Sequence, residues 1–331
     1  MRNNIIIILL LITLSACYGQ SKKKPETTPG LINTQQVNDT GIIYFSFDNG
    51  KHWQNASKGL PQNLSIGLGG VAVTDTKLAL TSQEYGVYIY NSTDSAWKAV
   101  PTVKAITDGN PGTMLFFNNA LYVGTQHNGV FYSADEGKTW SVKNNGLTNL
   151  SIRRFIQSGN SLYVCTNDGF YVWSDVLHKW MLEYGYPSLQ VNGATVFKGS
   201  FYLATSKGVY KKDINNNWKN LLPNHSVHNI SSDNTQLYAM TYGDLLLTSL
   251  DGITWISAQK GLPRGLYTFN VLNHQGILFA GQWDGVYSKQ KADTVWTLSS
   301  NGLPANFAAI NLQTFNGVLV ISTAKRKLKT E

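Results

Sequence analysis

A seven-bladed β-propeller of four-stranded antiparallel blades, closed by a blade shared between the two ends of the chain, is the fold predicted by three observations. Seven glycines each open a short apolar and aromatic run: Gly41, Gly86, Gly129, Gly169, Gly208, Gly243 and Gly285. A tryptophan follows each at a similar offset, at Trp53, Trp97, Trp140, Trp180, Trp218, Trp255 and Trp296, and a period of about forty residues is that of a propeller blade. The third observation is the frame. The repeat is entered at its third strand, near Gly41, and left after its second, near Leu319 to Thr323, so the two ends must combine into one blade. Such closure pairs strand edges that would otherwise stay open.

The elements follow in chain order. Arg2 precedes an apolar run over residues 5–14 that is too short to span a bilayer, and it reads as a signal peptide over residues 1–16. Its end, Leu14-Ser15-Ala16-Cys17, resembles the lipobox of bacterial lipoproteins. That resemblance implies cleavage before Cys17, acylation of Cys17 and anchoring to a membrane of the bacterial cell envelope, with the outer membrane expected. Residues 17–39 carry Pro25, Pro29 and Gly30 among lysines, threonines and asparagines, and read as a flexible tether. The propeller occupies residues 40–324, and residues 325–331 form a basic tail.

Within each unit the sequence predicts strand A (for example 70–74), strand B (77–81), strand C (86–90) and strand D around the tryptophan. Strand B recurs seven times as a consecutively apolar run, as in Leu121-Tyr122-Val123 and Leu237-Tyr238-Ala239, which fits a strand covered on both faces. Cys165 lies in such a run, and with Cys17 acylated it has no disulfide partner, so it reads as a small buried hydrophobe. The formal charge of +8 sits largely on the tether and tail, where it suits anionic head groups. An anchored chain without a basic face is not expected to bind nucleic acid.

Between strands C and D the best-preserved unit reads Ser133-Ala134-Asp135-Glu136-Gly137-Lys138-Thr139-Trp140. It resembles the S-x-D-x-G-x-T-W Asp box of the sialidase-like (BNR) propeller repeat. Ser46, Asp48, Gly50 and Trp53 form a second copy that departs at His52, and Ser249, Asp251, Gly252 and Trp255 form a third that is one residue short. Serine and aspartate oxygens can hold the exposed amides of a tight turn, so a structural role is expected. The resemblance further implies that these boxes lie on the face away from an active site.

A sialidase, by the same resemblance, requires three arginines on the substrate carboxylate and an Arg-Ile-Pro segment. After the signal region only Arg153, Arg154, Arg264 and Arg326 occur, and no Arg-Ile-Pro does, so that chemistry is not expected. The opposite face carries the B-to-C and D-to-A loops. Its candidate binding residues are Glu84, Tyr85, His127, Asp168, Tyr242, Arg264, Trp283 and Asp284, of which Trp283 and Tyr242 could stack on a sugar or anchor a protein. Recurring Gly-Leu-Pro segments (Gly59, Gly261 and Gly302, with the variant Gly146-Leu147-Thr148) read as turn and packing elements.

The six histidines are scattered, and His225 with His228 reads as loop polarity without acidic support, so neither a metal nor a cofactor is expected. The function predicted is a non-catalytic, envelope-anchored binding or assembly lipoprotein with a monomeric domain and a protein or glycan partner. The alternative is a divergent glycoside hydrolase, which would need two of Glu84, Asp168 and Asp284 to face each other across a cleft.

Overall fold

A computed structural model describes residues 41–243 and 245–323; the signal segment, Cys17 and the basic tail lie outside the described residues. Seven four-stranded antiparallel sheets form a β-propeller. Blade 1 comprises Ile66–Val73, Leu78–Ser82, Gly86–Asn91 and Ala96–Ala99. Blades 2 to 6 follow with inner strands Pro111–Phe117, Ile152–Ser158, Val191–Phe197, Val227–Ser232 and Asn270–His274. Blade 7 takes Ala309–Phe315 and Val318–Thr323 from one end of the chain, and Ile43–Ser46 and Gln54–Asn55 from the other.

The closing register runs from Ile43 opposite Ser322 to Ser46 opposite Leu319. Ring closure by the two ends is thus present as the frame predicts. The B strands of blades 1, 2 and 5 are buried along their length and the others over most of it, because each side of a blade packs on its neighbour. Seven apolar clusters lie in the wedges between consecutive blades; one joins Ile43, Phe45 and Val320 of blade 7 to Leu78, Leu80 and Trp97 of blade 1.

The tryptophans lock these wedges. Trp53, Trp97, Trp140, Trp180 and Trp296 each donate the indole N–H to a backbone carbonyl of the preceding blade, at 2.7 to 2.8 Å. In blades 2, 5, 6 and 7 the tryptophan precedes strand D, which is shortened to two residues such as Ser141–Val142. In those four blades strand D begins just after the tryptophan, whereas in blades 1, 3 and 4 it contains Trp97, Trp180 and Trp218 as predicted. The sequence reading also lacks the short helix Lys104–Asp108, which buries Ile106 between blades 1 and 2.

The C-to-D turns are closed by their own side chains. Ser133 Oγ donates to Asp135 at 2.7 Å and accepts from Gly137 N at 2.7 Å, while Asp135 accepts from Thr139 N and Oγ1 at 2.9 and 2.6 Å. Ser46 and Asp48 repeat the pattern with Gly50 and His52, and Ser249 and Asp251 with Gly252, Ile253 and Thr254. The Thr139 bonds hold the Asp135 carboxyl at about 2; at Asp48 burial pulls upward, but the His52 and Ser46 bonds prevail and leave it at about 2 as well. Both values lie below an unfolded aspartate's, about 3.9. Their stabilisation is therefore complete above that value and lost as pH falls toward 2. The melting temperature is expected to drop between pH 4 and pH 2, and Asp135→Asn, measured by thermal denaturation across that range, is expected to flatten part of the drop.

Candidate functional site: the channel mouth

The B-to-C and D-to-A loops share one end of the ring, and the inner strands begin there. In blades 2, 3, 4, 5 and 7 that beginning contains a register shift against strand B, between Pro111/Thr113, Ile152/Arg154, Val191/Gly193, Val227/Asn229 and Ala309/Asn311. A bulge of this kind releases one residue from the ladder and re-aims its side chain. The released residues are Gly112, Arg153, Asn192, His228 and Ile310. In blade 1 the irregularity is longer and spans the segment between Ile66 and Val71.

Asparagine amides stitch this rim together. Asn192, Asn229, Asn270 and Asn311 donate Nδ2 to the carbonyls of Val227, Phe269, Ile310 and Gly67 at 2.8 to 3.0 Å, each in the following blade. The girdle runs from blade 4 round to blade 1. In blades 2 and 3 the residues after the bulge are Thr113 and Arg154, and there the rim opens into a cavity of about 150 Å³.

That cavity is lined by Arg153, Arg154, Asn192, His228, Gln83, Gln126 and Tyr242, with Leu68, Ile152, Gly67 and Gly112, and by no carboxylate. Arg153 donates Nε and Nη2 to Asn192 Oδ1 at 3.2 and 2.9 Å. Arg154 Nε is sealed from solvent without a hydrogen-bond partner. His228 is 3% exposed, and neither ring nitrogen completes a hydrogen bond. Burial, and then the charge of Arg154, hold its pKa at about 3 against an opposing contribution from the Thr268 backbone, so the imidazole stays neutral near pH 7. Burial likewise pushes the Cys165 thiol up to about 12, which keeps it protonated.

Beside the cavity lies an aromatic cluster. His228 meets Tyr242 and Tyr267 at ring separations of 5.1 and 4.8 Å, and Phe269 meets Trp283 at 4.8 Å. Phe269, Ala308 and Ile310 are buried there, with Leu68, Tyr267 and Trp283 packed on them. The mouth thus has a cationic, amide-rich side on blades 2 to 5 and an apolar side on blades 5 to 1. Tyr242, 48% exposed, stands between them.

Of the sequence-predicted residues, the structure brings Tyr242 and Trp283 together through Tyr267. Glu84, Tyr85, His127 and Arg264 are exposed on loops of the same end, outside the cavity lining. Asp168 accepts from Thr148, Thr166 and Tyr171 and borders a separate groove with Tyr186 and Pro187. Asp284 accepts from Tyr287 at 3.0 Å. None of the three carboxylates reaches the cavity. His228 requires a correction: it is a buried channel residue, apart from His225 on the preceding loop, because the bulge turns it inward. Arg153 and Arg154, too few for a three-arginine clamp, are nevertheless the cations of the mouth. Among the described residues no cluster of potential ligands could hold a metal ion.

No family model matches the chain, and no curated protein does. Solved structures share its fold. An extracellular domain of a hybrid two-component system from B. thetaiotaomicron is 15% identical, with a TM-score of 0.65 over 85% of this chain and 38% of that one. YCF48 bound to D1 peptide is 13% identical, with a TM-score of 0.62 over 80% of this chain and 94% of that one. The GH74 enzyme of Niastella koreensis is 15% identical, with a TM-score of 0.59 over 80% of this chain and 52% of that one. This chain spans well under half of the two-component domain. At such identities the likeness is one of fold, and this chain is a β-propeller on its own strand topology as well as by that likeness.

Proposed function

We propose that this chain is a non-catalytic binding or assembly lipoprotein of the bacterial envelope, anchored through Cys17, which presents the channel mouth to a protein or glycan partner. The observation that carries the reading is the joining of a half-exposed tyrosine and its aromatic neighbours to a cationic cavity with no carboxylate in its wall. Aromatic anchors beside unmatched hydrogen-bond donors are the composition of recognition sites. Glycoside hydrolysis requires a carboxyl pair across the substrate. Here Asp168 and Asp284 are each engaged by a tyrosine hydroxyl of their own blade, Tyr171 and Tyr287, which fits a role in holding loops. Among proteins of the same fold, one is described with a bound peptide and one as a GH74 enzyme, so both partner classes have precedent in the architecture.

Two measurements test the reading. Cys17→Ser is expected to move the protein from the membrane fraction to the soluble one, and retention on the membrane would count against the anchor. Tyr242→Ala, compared with the parent by crosslinking in intact cells, is expected to lower capture of the partner roughly thirtyfold, the effect of losing about 2 kcal/mol at a hot spot. Release of reducing sugar from envelope glycans by the purified protein would favour the hydrolase instead.

A further inference from the structure

We infer that the cavity at the channel mouth is a binding site for a short-chain monocarboxylate, its charged end met by Arg154 and Arg153 and its apolar end by Leu68. The inference rests on reading this face as a binding surface, and gives that face a ligand chemistry.

The first ground is charge. Two guanidinium groups enter one cavity wall, and neither has an ion-pair partner among the described residues. A sealed, unpartnered Nε is costly to keep, since burying a charge without a counter-charge is strongly unfavourable. Arg153 is already directed by Asn192, which fixes its plane. The group that would satisfy Arg154 is an anion, and a planar carboxylate matches the guanidinium fork.

The second ground is the buried histidine. His228 is 3% exposed in the same wall, where the Thr268 backbone approaches its ring without completing a hydrogen bond. A neutral imidazole has one donor and one acceptor, so it makes the wall polar without adding a further charge to it.

The third ground is size and shape. About 150 Å³ is the room of roughly five water molecules at about 30 Å³ each, enough for a carboxylate with a short aliphatic tail. The rest of the lining is uncharged and partly apolar, with Leu68, Ile152 and the bare backbone of Gly67 and Gly112, which disfavours a tetrahedral dianion needing donors on every side. A Cβ on Gly112 would meet nothing within 4 Å, so this side of the site is open rather than packed.

The test uses the full chain purified in detergent. Thermal melting and tryptophan fluorescence are followed with sodium propionate, propionamide, sodium sulfate and sodium chloride at matched ionic strength. Propionate is expected to raise the melting temperature saturably by several degrees, and propionamide and chloride are expected to leave it unchanged. Arg154→Met is expected to weaken propionate at least tenfold and to melt no lower than the parent when no ligand is present. Gly112→Val, whose methyls enter the cavity, is expected to abolish the response, which keeps the test decisive should the arginine variant fail to fold. Acetylglycylglycine added alongside identifies the source: a matching response assigns the carboxylate to the end of a longer molecule, and a response to propionate alone to a free acid, both in support. Propionamide acting as well as propionate, sulfate binding at least as tightly, or propionate acting undiminished on Gly112→Val would each overturn the inference. Partner capture that depends on Tyr242 while propionate has no effect would sink this inference and leave the binding function standing; loss of that dependence while propionate still binds would do the reverse.

Discussion

Removal of residues 319–331 is expected to abolish cooperative folding. The deletion takes nearly all of the strand Val318–Thr323, which pairs on one side with Ala309–Phe315 and on the other with Ile43–Ser46. Leu319, Val320 and Ile321 are at most 1% exposed, and burying three such side chains is worth about 5 to 9 kcal/mol. That alone is comparable to the whole margin of an ordinary domain, about 5 to 15 kcal/mol. Two strand edges of blade 7 would also be left unpaired, inviting aggregation. Circular dichroism and size exclusion should show aggregated or unfolded protein; a soluble monomer melting at the parental temperature would refute the role of the closing blade.

Gly302→Ala is expected to destabilise the ring by about 3 to 5 kcal/mol, in the range reached only by specific packing failures. Gly302 has φ of +90°, and a Cβ there would meet the carbonyl oxygen of Trp53 at 2.2 Å. That carbonyl cannot easily retreat, since Trp53 N donates to Asn301 O at 2.8 Å and its indole to Ser299 O at 2.7 Å. Gly276 provides the control, with φ of +83° and nothing within 4 Å of the same added atom. Gly276→Ala should cost only the backbone preference, about 1 to 2 kcal/mol. Chemical denaturation of both variants separates contact from conformation, and equal losses would mean that the tryptophan carbonyl gives way. Gly59, Gly146 and Gly261 repeat the arrangement against Trp97, Trp180 and Trp296.

The architecture was legible because its signals are local and repeated. A tryptophan at a fixed offset and a glycine where a neighbouring backbone passes can be recognised within one unit and confirmed in the next. The closing blade needed only the frame. The site was less legible, since strand alternation assigns faces and a bulge interrupts alternation just where Arg153, Asn192 and His228 turn to the channel. Such a bulge depends on pairing with strand B and leaves no residue type as its mark. One signal was available: Asn229, Asn270 and Asn311 recur at about the blade period beside the start of strand A, which is how a girdle shared between blades would announce itself. Tyr242 and Trp283 were accessible to reasoning because they interrupt the repeat in loops. Asp168 and Asp284 were not separable from catalytic carboxylates until their tyrosine partners, three residues on, were seen.

The closing register has a mechanical consequence. Ile43 lies opposite Ser322, so the two described ends of the propeller leave the same end of one antiparallel pair. A force drawing those ends apart would load the ladder as a zipper, one hydrogen bond at a time, instead of shearing all its bonds together. The ring that is held shut by its closing blade therefore has, at the same blade, a direction in which it yields to tension.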